Sequence, residues 1–349
     1  MRKERTVKAA FLTGIRKVEI RQAPDPVRQS DDDVLLRIQA VGVCGSDMHY
    51  YRTGRIGNLV VEYPFIVGHE CAGTVVEAGP KSPLAAGQCV AIDPLVVCGQ
   101  CDQCLAGRFH TCRKQRFLGC PGQLAGSLAE YLVMPSRCCY PIPDSLTFDQ
   151  AVMSEPLSIG LWTVKLARRT AGKKIAVLGC GPIGMCTLLA LRAAGPCTVY
   201  ATDLREERLR ATRRLGADWT GNPTRQDVVA EILRLQGDGL DLVFEAAGEQ
   251  ETLDQAVQLL RPGGTLAMVG IPEGDRVSFD VSNMRRKELT IQNVRRQNEC
   301  VAPAIELIAD GRVNVDAMIT HRFSLDETAG AFEIAADYRD GIVKGMIHL

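Results

Sequence analysis

The chain has 349 residues, 46% of them hydrophobic, and a mean hydropathy of -0.01, the values of an ordinary globular protein long enough for two domains. Lys+Arg 41 equals Asp+Glu 41, so no net charge draws it to nucleic acid or an anionic membrane, and no run approaches the ~18–20 apolar residues that span a bilayer. The charged, broken start MRKERTVKAAFLTGIRKVEI lacks the apolar core of a signal peptide. A cytoplasmic location is therefore expected, with the 14 cysteines as thiols or metal ligands rather than disulfides.

Residues 1–150 carry short valine-bearing runs between glycines and prolines: DVLLRIQAVGV, CAGTVVEAG, GQCVAIDP and SLAEYLVM. Several alternate apolar and polar residues, which predicts half-buried strands in a β-rich domain. Two stretches interrupt this pattern with groups that are costly to bury alone. GVCGSDMHYY sets Cys44 in a glycine-bounded turn, and FIVGHECAG sets His69 beside Glu70, 25 residues further on. A thiolate, an imidazole and a carboxylate make a mixed ligand set that leaves a coordination position open. Taken singly, Cys44 also reads as an ordinary buried thiol.

Cys98, Cys101, Cys104 and Cys112 then form C-x₂-C-x₂-C-x₇-C. The short spacers bring thiolates onto one tight turn and the longer return closes a tetrahedron. Four sulfur ligands leave no open position, so a zinc held this way stabilises a loop. Iron–sulfur ligation shares compact cysteine spacing and is the competing reading. Cys120, Cys138 and Cys139 lie outside the pattern and read as ordinary thiols.

The pattern changes near residue 155. PLSIGLWTVKLARR predicts a helix, and KKIAVLGCGPIGMCTLLALRAAG predicts a buried strand, a glycine turn and a second helix. CTVYATD, REERLRATRRLGAD, LDLVFEAAG, ETLDQAVQLLRPGG and TLAMVG continue the strand–helix alternation of a doubly wound parallel sheet. Within it, Gly179, Gly181 and Gly184 have G-x-G-x-x-G spacing, and Asp203 follows Gly184 by 19 residues. The glycines suit a tight turn, approach to a pyrophosphate and close helix packing; an acidic residue there accepts from a ribose and repels a 2′-phosphate. NAD is therefore expected over NADP, with Arg205 and Arg208 as the features that favour the latter. A glycine turn in a sheet that binds nothing is the competing reading. APAIELIADG, after about residue 295, predicts a helix followed by mixed segments.

Together these motifs resemble the zinc-dependent medium-chain dehydrogenases. GHECAGTVVEAGPKS matches their G-H-E-x₂-G-x₅-G-x₂-S pattern across Gly68, His69, Glu70, Gly73, Gly79 and Ser82, and the other motifs follow in the expected order. The stretches CGSDMHYYRTGRIGNLVV, GHE and SEPLSIG are most similar to sorbitol (polyol) dehydrogenases. The resemblance implies a GroES-like catalytic domain over 1–155 and 296–349, with a structural zinc lobe at about 95–115, and a Rossmann NAD-binding domain over 156–295. It implies a catalytic zinc held by Cys44, His69 and Glu70, with Glu155 as a fourth ligand or as partner of a bound water. A capping role before Pro156 is the alternative for Glu155.

The same resemblance implies that Ser46 and His49 relay a proton and that Asp47 orients a ligating imidazole. It implies substrate contacts from Tyr50, Phe117 and Arg296, and coenzyme contacts from Gly179, Gly181, Pro182, Ile183, Gly184, Asp203, Arg208, Ala247 and Gly270. His49 in a structural hydrogen bond and Phe117 in a core are the competing readings. Arg296 lies in NVRRQNE, where the family more often reads phenylalanine–arginine–tyrosine, so Arg295 and Gln297 make this stretch more polar. AAGQCV likewise replaces a glycine–aspartate–arginine–valine turn with Gly87, Gln88, Cys89 and Val90.

The implied activity is reversible, NAD-dependent oxidation of a secondary hydroxyl of a polyol such as sorbitol, xylitol or galactitol to the ketose. The alternative within the fold is an L-threonine 3-dehydrogenase or a 2,3-butanediol dehydrogenase. A non-enzymatic nucleotide-binding protein would require loss of metal ligands that are present here, and a zinc-finger DNA binder lacks its spacing and charge. The expected partners are a small polyol or ketose and further copies of the chain, as a tetramer in preference to a dimer.

Overall fold

The computed structural model describes residues 6–349; the first five residues of the charged start lie outside the described residues. Two compact units form. One contains the chain up to Glu155 together with Val301–Asp310 and Ile319–Leu349; the other contains Pro156–Cys300 and Gly311–Met318. The return to the first unit thus comes after Cys300, later than the expected 296. Strand Thr290–Asn293 pairs with Leu260–Met268, and Val294 N–H then donates to the Met268 carbonyl at 2.9 Å, which keeps the chain on the second unit's sheet.

The valine-bearing runs of the first unit form a largely antiparallel sheet. Its strand order is Cys139–Pro141, Cys89–Ile92, Glu70–Ala78, Asp33–Gly42, Lys344–His348, Ile319–Ser324, with Tyr131–Pro135 also pairing with Asp33–Gly42. Along Asp33–Gly42 the alternation has its expected consequence: Val34, Leu36, Ile38 and Ala40 are fully buried. Val34, Leu36 and Ile38 pack with Val67, Val75, Val90, Ile92, Leu128 and Met134. The C-terminal strand joins in register, with Met346 opposite Gly42, while Glu70 faces Gly42 from the other side. A polar cluster fastens this end: Asp149 accepts from Arg322 Nε and pairs with His348 Nε2, each at 2.7 Å.

The second unit is a six-stranded sheet in which every pairing is parallel. Its order is Trp219–Gly221, Thr198–Thr202, Lys174–Leu178, Leu240–Glu245, Leu260–Met268, Thr290–Asn293. Numbered along the chain from Lys174–Leu178, this is the order 3-2-1-4-5-6 of a dinucleotide-binding fold, with its switch point beside the first strand. Ile175, Ala176, Val177 and Leu178 are all buried, as a strand covered on both faces requires. Among the described residues no helix is long and apolar enough to cross a membrane.

Candidate metal centres and dinucleotide turn

Cys44, His69 and Glu70 are brought together by one strand register. Strand Asp33–Gly42 ends two residues before Cys44; its neighbour begins at Glu70, directly opposite Gly42. A ligand atom from each of the three residues lies within 4.8 Å of the others. Behind them, buried Asp47 ties the two turns: Oδ2 accepts from Cys44 N–H at 3.1 Å, Oδ1 accepts from Gly68 N–H at 3.3 Å, and Oδ1 is 3.6 Å from His69 Nδ1. Burial works to lower the pKa of the His69 imidazole, but the Cys44 sulfur and the Asp47 carboxylate outweigh it and hold the ring well above its ordinary value. The same two negative groups, Cys44 and Asp47, would favour a cation at the site, with the imidazole then neutral.

Glu155, at the start of helix Ser154–Leu166, stands outside this close group yet shares its electrostatics. Burial is the largest influence and carries its carboxyl up to about 7, against the pull of His69 and with a push from Glu70. Ser46 lies beside the group, with Oγ 3.4 Å from the Cys44 sulfur. The Phe117 ring is 5.4 Å from the His69 ring, and Tyr50 is buried with its hydroxyl 3.9 Å from Cys120 Sγ. His49 is half-buried in helix Gly45–Thr53, where its carbonyl accepts from the Thr53 hydroxyl. Arg296 belongs to the second unit and adopts a left-handed φ of 50°.

The four-cysteine lobe closes as its spacing predicts. Sulfur–sulfur distances are 3.5 Å for Cys98–Cys112, 3.6 Å for Cys101–Cys104, 3.9 Å for Cys101–Cys112 and 4.0 Å for Cys98–Cys104. A tetrahedron of thiolates around zinc has edges of about 3.8 Å, so the quartet matches a metal cage and is too open for a disulfide. The amides of Arg113 and Cys104 lower the Cys101 thiol to about 6, whereas burial pushes Cys104 up to about 12. Asp102 and Arg113 close the outside of the lobe with a pair at 2.8 Å.

In the second unit the expected coenzyme residues gather at the C-terminal ends of neighbouring strands. Gly181 caps helix Pro182–Ala194, which has proline at its start. Gly179 has φ 94°, and a Cβ there would lie 2.7 Å from Ala247 N; one on Gly184 would run into the Gly179 carbonyl. Over Gly181 only Arg208 approaches, at 3.7 Å from such a Cβ. Asp203 holds the turn by accepting from Cys180 N–H and Arg205 N–H, both at 2.8 Å, with Arg208 Nη1 3.7 Å from its carboxylate. Pro182 and Ile183 open the helix behind this turn.

Comparison with known proteins agrees with this architecture. The profile of the alcohol dehydrogenase GroES-like domain matches residues 30–144, and that of the zinc-binding dehydrogenases matches residues 182–310. Sorbitol dehydrogenase of Bacillus subtilis (strain 168) is 36% identical, covering 98% of this chain and 97% of that protein. The chain belongs to the zinc-dependent medium-chain dehydrogenases. Among solved structures, an Escherichia coli oxidoreductase/dehydrogenase of unknown specificity superposes with a TM-score of 0.93 at 33% identity, covering 99% of both chains. A zinc-binding dehydrogenase from Sinorhizobium meliloti 1021 bound to NADP gives a TM-score of 0.90 at 32% identity, covering 99% of this chain and 100% of that one.

Two buried charges of this dehydrogenase escaped the sequence reading. Lys344, in the apolar run IVKGMIHL, has no exposed side-chain surface; its ammonium donates to the Val43 carbonyl at 3.1 Å and pairs with Glu70. Glu245 ends the strand LDLVFE, where Oε1 accepts from Ala247 N–H at 2.8 Å, Gly248 N–H at 2.7 Å and the Thr252 hydroxyl at 2.8 Å. Its carbonyl accepts from Val269 and Gly270, so one residue organises the loops after two strands. The signal for both was an ionisable residue at the end of a strand whose central residues are apolar.

Proposed function

We propose that this dehydrogenase oxidises a secondary hydroxyl of a polyol to the ketose, reversibly, with NAD as hydride acceptor. The observation that carries the reading is the Cys44–His69–Glu70 group, whose ligand atoms converge within 4.8 Å. The donor set suits one zinc with an open position, and the cysteine quartet suits a second with none. When bound, the first zinc supplies a Lewis acid for the hydroxyl oxygen and the nicotinamide accepts the hydride.

The remaining work falls to the chain's own groups. Asp47, 3.6 Å from His69 Nδ1, favours the tautomer that leaves Nε2 as the ligating atom. Ser46, beside the Cys44 sulfur, is suited to pass the hydroxyl proton outward, with His49 three residues along the same helix. Tyr50, Phe117 and Arg296 are assigned to the substrate. Asp203 and Arg208 at the glycine turn, with Ala247 and Gly270, are assigned to the coenzyme, and the acidic residue favours NAD. Sorbitol dehydrogenase as a relative over nearly the whole chain supports a polyol as substrate. The protein works in the cytoplasm as a homo-oligomer, a tetramer in preference to a dimer. The open edge strand Thr290–Asn293 supports self-association.

The test is a substrate panel of sorbitol, xylitol, galactitol, L-threonine and 2,3-butanediol with NAD and NADP, run beside metal analysis. The expected result is NAD reduction with one or more polyols by protein holding about two zinc ions per chain. Turnover of L-threonine alone would overturn the polyol assignment.

A further inference from the structure

The ion pair between Lys344 and Glu70 crosses two strand pairings within the first unit. Strand Asp33–Gly42 lies between the strands that carry these two residues, and Gly42 leaves the space through which they meet. A Cβ on Gly42 would run into the Glu70 carboxylate and come within 3.1 Å of Lys344 Cε. The pair is thus enclosed by glycine backbone, with the Val43 carbonyl as second acceptor for the ammonium. Neither side chain has appreciable exposure.

Burying an ammonium next to a centre built for a dication raises an electrostatic question. Two cations repel, so the lysine weakens metal binding unless the carboxylate between them serves both. Glu70 has two oxygens, and one of them, Oε2, already accepts from Lys344. Cys44 and Glu70 bring two negative charges, which zinc alone cancels; the added ammonium draws electron density from Glu70 and leaves it a poorer donor.

We propose that Lys344 is a positioning residue of the metal centre: it holds one oxygen of Glu70 and leaves only the other to the metal. This rests on the reading of Cys44, His69 and Glu70 as zinc ligands. The consequence is a centre that binds its metal less tightly than the bare ligand set would, and keeps it more electron-poor. Without the ammonium, zinc becomes the sole counter-ion of a buried carboxylate, and both oxygens turn toward it.

The experiment is transfer of zinc to a chromogenic chelator from the full-length enzyme, following the phase that Cys44→Ser abolishes. If no phase depends on Cys44, the metal reading itself fails. Given such a phase, Lys344→Met is expected to slow it about tenfold, the scale of one lost charged hydrogen bond. Lys344→Arg, which keeps the charge, is expected to restore the wild-type rate. Cobalt-substituted Lys344→Met is expected to show weaker visible bands than wild type, because a second carboxylate oxygen raises the coordination number. If Lys344→Met does not fold, Lys344→Leu, which neither donates nor carries a charge, has the same expectation. A phase unchanged or faster in the neutral variant, or an arginine variant indistinguishable from it, overturns the proposal.

Discussion

Gly42 stands opposite Glu70 across two antiparallel strands, and its missing side chain is the space that the Glu70 carboxylate occupies. An alanine methyl there would meet that carboxylate, Val152 Cγ1 at 3.0 Å and Lys344 Cε at 3.1 Å. All three neighbours are buried, so none can yield cheaply. Gly42→Ala is therefore expected to displace Glu70 and empty one metal centre while leaving the cysteine lobe loaded. Zinc analysis should fall from about two ions per chain to about one, with activity reduced about tenfold or more. Retention of both ions with full activity would show that Glu70 does not need this place.

Asp47 offers a test of the support behind the same centre. Its two oxygens accept the Cys44 and Gly68 amides and lie against His69 Nδ1. Asp47→Asn keeps the shape but loses the charge, and its amide nitrogen cannot accept from one of these donors. Changes of this kind behind a ligating histidine typically cost about 10–100-fold in metal affinity or activity. The expected outcome is faster zinc release and lower kcat with KM for NAD unchanged. A variant that differed only in KM for NAD would contradict the assignment.

What could be read from sequence followed the length scale of each interaction. The parallel sheet, the glycine turn with Asp203 and the cysteine quartet are local patterns, each contained in a few consecutive elements, and they appear where expected. Lys344 and Glu245 were not foreseen, because their partners depend on strand order rather than on neighbouring residues. Lys344 finds Glu70, 274 residues away, only after the C-terminal strand docks beside Asp33–Gly42.

The cysteine lobe should behave as a separate structural element. Cys101, whose thiol is lowered to about 6 by the Arg113 and Cys104 amides, is already close to the thiolate a metal requires. Cys101→Ser is expected to remove one zinc and lower the Tm by about 5–10 °C, as loss of a bound metal does. The Cys44-dependent zinc should stay. Loss of both ions from this variant would show that the two centres do not load independently.

Glu245 links stability to the coenzyme loops. Its carboxylate fixes the Ala247 and Gly248 amides, and its carbonyl fixes Val269 and Gly270. Glu245→Gln retains the carbonyl contacts but weakens those of the side chain, so NADH should bind about three- to tenfold more weakly by fluorescence titration, with zinc content unchanged. Burial raises the pKa of this carboxyl, against the lowering effect of Thr252 and the loop amides. A raised folded-state value means the native protein holds the proton more firmly than the unfolded chain does. The resulting stability is complete below the unfolded-state value of about 4.3 and disappears as pH rises through the folded one. Glutamine resembles the protonated form at every pH. The Tm of Glu245→Gln should therefore lie closest to that of wild type in acid and rise relative to it toward neutrality, and a difference constant between pH ~4 and ~7 would place the carboxyl in an environment that does not favour its neutral form.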